Sequence, residues 1–242
     1  MYVNAHDHFE LYEDLLRGLE VIHRQEIATL AVSMDLQGYR KLKAAYGHDP
    51  LIKIGLGIHP WKVTGESSLA PLEEELKTCD FIGEIGMDFF WAEEEALYPK
   101  QREIFEAFLV KAKDYDKVVN LHTKGAEGPI LELLKKYRLR SPIIHWYSGP
   151  LELIPQYLDL GAMFTIGPDL GISPLTDELI RLLPLERILT ETDGPSSVTW
   201  ARGVSRDSSF IPEMVAHIAK LKERPLEEVK GQIYQNYLHL KI

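Results

Sequence analysis

Asn4-Ala5-His6-Asp7-His8 places two imidazoles two residues apart. In an extended strand, successive side chains alternate faces, so His6 and His8 point one way and Asp7 the other. Two imidazoles a strand-step apart can share a divalent ion through ring nitrogens if other residues complete the shell. Such residues recur downstream: Glu84 in Ile82-Gly83-Glu84-Ile85-Gly86, His122 after Asn120-Leu121, His145 after Ile143-Ile144, and Asp193 before Gly194-Pro195. Each has a plainer reading: Glu84 as a structural ion pair, each histidine as a hydrogen-bonded core residue, Asp193 as a cap. Together they offer four imidazoles and two carboxylates. That exceeds the three or four protein ligands of a single catalytic zinc-like ion. The surplus points to two divalent ions bridged by a carboxylate, a device that clamps an in-line displacement at phosphorus or carbon and lowers the pKa of a bound water. The mixed set suits Zn, Mn, Co or Fe better than an oxygen-lined Mg site, without excluding Mg.

The elements that must carry these residues alternate. Strand-like runs are Tyr2–His6, Ala28–Ser33, Ile52–Ile58, Phe81–Met87, Val118–Leu121, Ile143–Ile144, Ala162–Ile166 and Ile188–Thr190. Helical spacing marks Tyr12–Gln25, Leu36–Tyr46, Leu69–Lys77, Lys100–Tyr115, Pro129–Tyr137, Leu151–Leu160, Ser173–Leu183, Ile211–Lys222 and Leu226–Leu240. Eight strands with crossover helices read as a parallel α/β fold, and a closed (β/α)8 TIM barrel takes about 250 residues. An open doubly wound sheet is the rival, but no Gly-x-Gly-x-x-Gly turn follows an early strand. The chemistry decides between them. His6, His8, His59, Glu84, His122, His145 and Asp193 all fall at or just beyond strand C-termini, which a barrel gathers at one mouth. A single domain over residues 1–242 is expected.

Bulk properties narrow the partners. A formal charge of −10 argues against a long groove gripping nucleic acid by Lys and Arg alone. A phosphate substrate would need metal ions or a small basic patch to offset that repulsion. The single cysteine, Cys79, precludes an internal disulfide. With no apolar run of membrane-spanning length and no basic-then-apolar leader, a cytoplasmic chain is expected, with a monomer favoured.

Six motifs carry a resemblance: His6-x-His8, Gly57-Ile58-His59-Pro60, Gly83-Glu84-Ile85-Gly86-Met87-Asp88, Leu121-His122-Thr123, His145-Trp146-Tyr147-Ser148-Gly149 and Glu191-Thr192-Asp193-Gly194-Pro195. In order and over essentially the whole chain, they resemble the signatures of the TatD family of metal-dependent deoxyribonucleases, within the amidohydrolase-like barrels. The resemblance implies a two-metal hydrolase acting on DNA ends or other phosphodiesters. It implies that His6 and His8 hold one ion, that His122 and His145 hold the other, and that Glu84 bridges them. Asp193 would bind the first ion and take the proton of the attacking water. Phe9-Glu10 stands where the family usually has Leu-Asp, and Lys124 where it usually has Arg, so the bidentate fork for phosphate is lost. Arg202-Gly203 matches the family's Arg-Gly, but the Asn-Glu-Pro that normally follows is missing. Expected substrate contacts are His59, which could instead orient its loop, Lys124 and Arg202; Phe89, Phe90 and Trp91 read either as a stacking floor for bases or as a loop-packing cluster, near Trp61, Trp146 and Trp200. Cleavage of an ester or amide, such as an aminoacyl ester on RNA, is the rival reaction. A partner-binding subunit with a retained metal site is the rival outside enzymes.

Overall fold

The computed structural model describes residues 1–242, apart from the side chain of Arg17. Eight parallel strands lie side by side in chain order. They are β1 Tyr2–Asp7, β2 Ile27–Ala31, β3 Ile52–Leu56, β4 Phe81–Gly86, β5 Val119–His122, β6 Ile143–Ile144, β7 Met163–Ile166 and β8 Ile188–Thr190. The order and the intervening helices make a nearly closed TIM barrel, the fold expected above. β8 returns beside β1 through individual bonds. The Asp193 amide donates to the His6 carbonyl at 3.0 Å and the His8 amide to the Gly194 carbonyl at 3.3 Å. The Thr192 amide donates to Asn4 Oδ1 at 3.0 Å.

The helices are α1 Leu15–Gln25, α2 Leu36–Tyr46, α3 Glu73–Thr78, α4 Tyr98–Asp114, α5 Glu127–Tyr137, α6 Ile154–Asp159, α7 Pro174–Leu182, α8 Ser197–Arg202, α9 Ile211–Lys222 and α10 Leu226–His239. Their apolar stripes face the barrel, as Ile104, Phe105, Phe108 and Ala112 do on α4. Asp35 caps α2 by accepting the Gly38 amide at 2.8 Å. Two expected helices are shorter than their periodicity. Ala70–Leu72 and Leu151–Leu153 form 3-10 turns ahead of α3 and α6, with Pro71 and Pro155 near the starts of the turn and of α6. Proline lacks an amide hydrogen and fits a first turn but not a helix interior. Helix α8 lies where no helix was expected, because six residues with only Val198 buried leave no period to read.

Both register irregularities in the sheet fall on β1–β2 and β4–β5, the pairs that carry His6 and Glu84. A bulge re-aims side chains locally, which is why such irregularities collect near sites. The strands also approach closely here. A Cβ on Gly86, which has φ 151°, would lie 2.0 Å from the His122 carbonyl oxygen. Among the described residues, no helix is long and apolar enough to cross a membrane.

Candidate metal centre

The C-terminal ends of β1, β4, β5 and β6 and the loop after β8 bring His6, His8, Glu84, His122, His145 and Asp193 together. His8, Glu84, His122, His145 and Asp193 line a cavity of about 230 Å³, walled also by Met34, His59 and Trp61. Glu84 stands at its centre. Its Oε2 lies 3.0 Å from His8 Nε2 and 3.4 Å from His6 Nε2. Its Oε1 lies 2.8 Å from His122 Nδ1, 3.4 Å from His59 Nε2 and 3.6 Å from His145 Nε2. Asp193 Oδ1 approaches His6 and His8 Nε2 at 3.6 and 3.7 Å, while Oδ2 accepts the Ser197 hydroxyl at 2.7 Å.

Each of the four imidazoles has its other ring nitrogen held by a partner. Asn120 Nδ2 donates to the Ala5 carbonyl at 2.8 Å, which turns Oδ1 toward His6 Nδ1 at 2.9 Å. That nitrogen must therefore carry a proton and donate, leaving Nε2 as the nitrogen turned toward Glu84 and His8. Glu10 Oε1, which accepts the Met34 amide at 3.0 Å, plays the same part for His8 Nδ1 at 3.3 Å. Asp88 Oδ2 faces His122 Nε2 at 2.8 Å, and Glu191 Oε2 faces His145 Nδ1 at 3.0 Å. Such outer partners fix the tautomer and orientation of an imidazole that binds metal. Sequence reading gave Asn120, Glu10, Asp88 and Glu191 no role, although all four sit inside quoted strings. The usable signal was a polar residue next to each histidine motif in an otherwise apolar run.

The donor set fits a cation. The Nε2 atoms of His6 and His8 lie 3.3 Å apart. Two nitrogens bound about 2.0–2.1 Å from one tetrahedral ion are separated by about that distance. The electrostatics agree. Burial would lower the pKa of His6, but the charge and hydrogen bond of Glu84 outweigh it and hold the group at about 9. His8 is raised well above its ordinary value against burial, by Glu10 and Glu84. His122 rises to about 8 because Asp88 and Glu84 overcome burial. Glu84 itself is held well below the carboxylate range, since the surrounding imidazoles outweigh its burial. Burial and the neighbouring His6 push His145 well down.

The remaining expected contacts differ in placement. His59 Nδ1 accepts the Trp61 amide at 3.1 Å, so its proton sits on Nε2 and points to Glu84. A protonated Nε2 cannot ligate a metal, and burial keeps the ring neutral by lowering its pKa. His59 is thus a donor aimed into the cavity. Lys124 Nζ donates to Ser148 Oγ at 2.6 Å and lies 5.7 Å from the Trp146 ring centre. Arg202 is engaged elsewhere: Nη1 donates to the Pro168 and Leu170 carbonyls, each at 2.9 Å, and the guanidinium covers Phe210. That makes it a brace between α8 and the loop after β7. Phe89 packs on Tyr98 with ring centres 4.4 Å apart, while Phe90 and Trp91 remain exposed. Asp7, on the opposite face from the imidazoles, accepts from Asn4 at 2.8 Å, Thr192 at 2.8 Å and Ser208 at 3.1 Å.

The TatD related DNase family model matches residues 3–240. An uncharacterised metal-dependent hydrolase of Methanocaldococcus jannaschii is 30% identical over 97% of this chain and 94% of its own length. A Danio rerio protein whose deoxyribonuclease activity is itself only proposed is 25% identical over 76% of this chain and 74% of its own. Among solved structures, the TatD homologue YjjV of Escherichia coli superposes with a TM-score of 0.89 at 22% identity, over 99% of this chain and 97% of that one. At that identity the superposition speaks to the fold.

Proposed function

Since the chain belongs to the TatD related DNase family of metal-dependent hydrolases, we propose that it hydrolyses phosphodiester bonds at DNA ends with two divalent ions. The observation that carries this reading is the division of Glu84: Oε2 faces His6 and His8, and Oε1 faces His122 and His145. On this reading His6, His8 and Asp193 would hold one ion and His122 and His145 the other, with Glu84 available to both. When bound, the ions lower the pKa of a water and offset charge building on the phosphoryl oxygens. The choice of phosphodiester rests on the family's description and on the Danio rerio relative.

The chain's own groups have separable parts. Asp193 is the carboxylate of the cluster with an open side: its side chain is 16% exposed, against 1% for Glu84. Its Oδ1 takes the proton of the attacking water, while Ser197 holds the other oxygen in place. His59 Nε2–H donates to a phosphoryl oxygen, and Lys124 meets a neighbouring phosphate as a point charge. Leu11, Met34 and Trp61 restrict water at the cavity edge. The test is reconstitution with Zn, Mn, Co or Mg, followed by assays on end-labelled single-stranded and duplex DNA beside a panel of carboxylic esters. Release of nucleotides from DNA ends, with about two ions per chain by elemental analysis, is expected. Ester cleavage without DNA cleavage would overturn the assignment.

A further inference from the structure

A second cleft, of about 450 Å³, adjoins the metal cavity. Trp61 is the wall between them, since it lines both. Trp91 lines it too, together with Pro60, Val63 and the exposed Glu93 and Glu94. The two indoles are 55% and 50% exposed, which is unusual for large apolar rings so near a polar cluster.

Both residues hang from one carboxylate. Asp88 Oδ2 accepts Trp61 Nε1 at 2.7 Å. Asp88 Oδ1 accepts the backbone amides of Phe90 and Trp91 at 2.8 and 2.6 Å. The same Asp88 Oδ2 faces His122. The Trp61 indole and the backbone that carries Trp91 are therefore held relative to His122 by the group that also orients that imidazole.

The charge of the cleft selects the occupant. Glu93 and Glu94 repel a phosphate, so the substrate's anionic part belongs in the metal cavity and beside Lys124. What suits the cleft is an uncharged planar ring. Resting on the phosphodiesterase reading above, we propose that the cleft between Trp61 and Trp91 receives the unstacked nucleobase attached to the scissile phosphate. Hydrolysis would then favour single-stranded or frayed ends, because a base inside duplex cannot enter. Base–indole stacking is tolerant of sequence, which fits an enzyme for ends of any sequence.

The test compares dAMP with deoxyribose 5-phosphate, which lacks the base, by calorimetry on the Mn²⁺-loaded protein. The native chain is expected to bind dAMP about tenfold more tightly, the scale of one stacked base. Trp91→Ala should bring that ratio to about one, and Trp91→Phe, which keeps a ring, should restore most of it. No preference for dAMP in the native chain, or a preference that survives Trp91→Ala, overturns the subsite. The two readings fail separately. A base preference lost in Trp91→Ala, in a protein that cleaves no phosphodiester, keeps the subsite and removes the reaction. Phosphodiester cleavage without base preference does the reverse.

Discussion

At the scale of single residues, the clustering of the six residues expected as ligands was legible because metal chemistry restricts residue types, and each stood out against an apolar run. Their partners were harder to read, since Asn120, Asp88 and Glu191 act by distance and tautomer rather than by type. Glu84 separates ligand from contact. Glu84→Gln should lower kcat at least about a hundredfold, beyond the effect of losing an outer partner, and reduce metal content. His59→Ala should act mainly on KM and leave metal content unchanged. Steady-state kinetics with elemental analysis of both variants checks this, and similar modest losses in both would displace Glu84 from the bridge. The imidazoles also set a pH dependence. In the metal-free protein His6 titrates near 9 and His122 near 8, both above the ordinary value. Raised folded-state values mean stability that is fully present below about pH 6.5 and is lost as pH rises toward 9. Metal must displace those protons, so loading should release protons and tighten over the same window. Calorimetry in buffers of different ionisation enthalpy measures the release, and uptake without protons would contradict the ring states described above.

At the scale of elements, all eight strands were readable from short apolar runs because a barrel strand is buried along its whole length, as Ile27–Ala31 and Phe81–Gly86 are. Helix α8 was not readable, because its one buried side chain gives no periodicity, and the carbonyl bonds of Arg202 were equally silent. Its Arg-Gly string pointed to phosphate, whereas its fold context turns it toward two carbonyls. Close strand approach is equally silent in sequence. Gly86 is an unremarked glycine until its Cβ is built 2.0 Å from the His122 carbonyl oxygen. Gly86→Ala should therefore destabilise by about 3 kcal/mol, at the upper end for single changes. That corresponds to a fall in Tm of roughly 6–12 °C. A Tm within 2 °C of the native value, taken as the limit of an effect of about 0.5–1 kcal/mol, would mean that β4 and β5 can separate. Asp88→Asn should weaken metal binding about 10–100-fold without a comparable loss of fold.

At the scale of the whole molecule, a charge of −10 limits how DNA is held. With Arg202 bonded to two carbonyls, few cations are left to meet phosphate, Lys124 among them, and the log–log salt slope for a single-stranded oligonucleotide should be no more than about two. Lys124→Ala should lower it by about one unit and leave metal content unchanged. Titrations from low to moderate salt, with Ca²⁺ replacing the catalytic ion, measure this, and a slope of the size large-groove binders show would contradict it. The junction of β8 with β1 carries a different consequence. His6 and His8 belong to the first strand and Asp193 follows the last, and their backbones meet through the Asp193 amide on the His6 carbonyl and the His8 amide on the Gly194 carbonyl. On the ligand set proposed above, a cation shared by these three side chains would be a clasp between the first and last strands, joining residues 185 or more apart (193 − 8) with no covalent link. Removing it should open the barrel at that one joint before any other: the amides of His8 and Asp193 should exchange with deuterium sooner than those of β3–β6, and chelation should widen the gap.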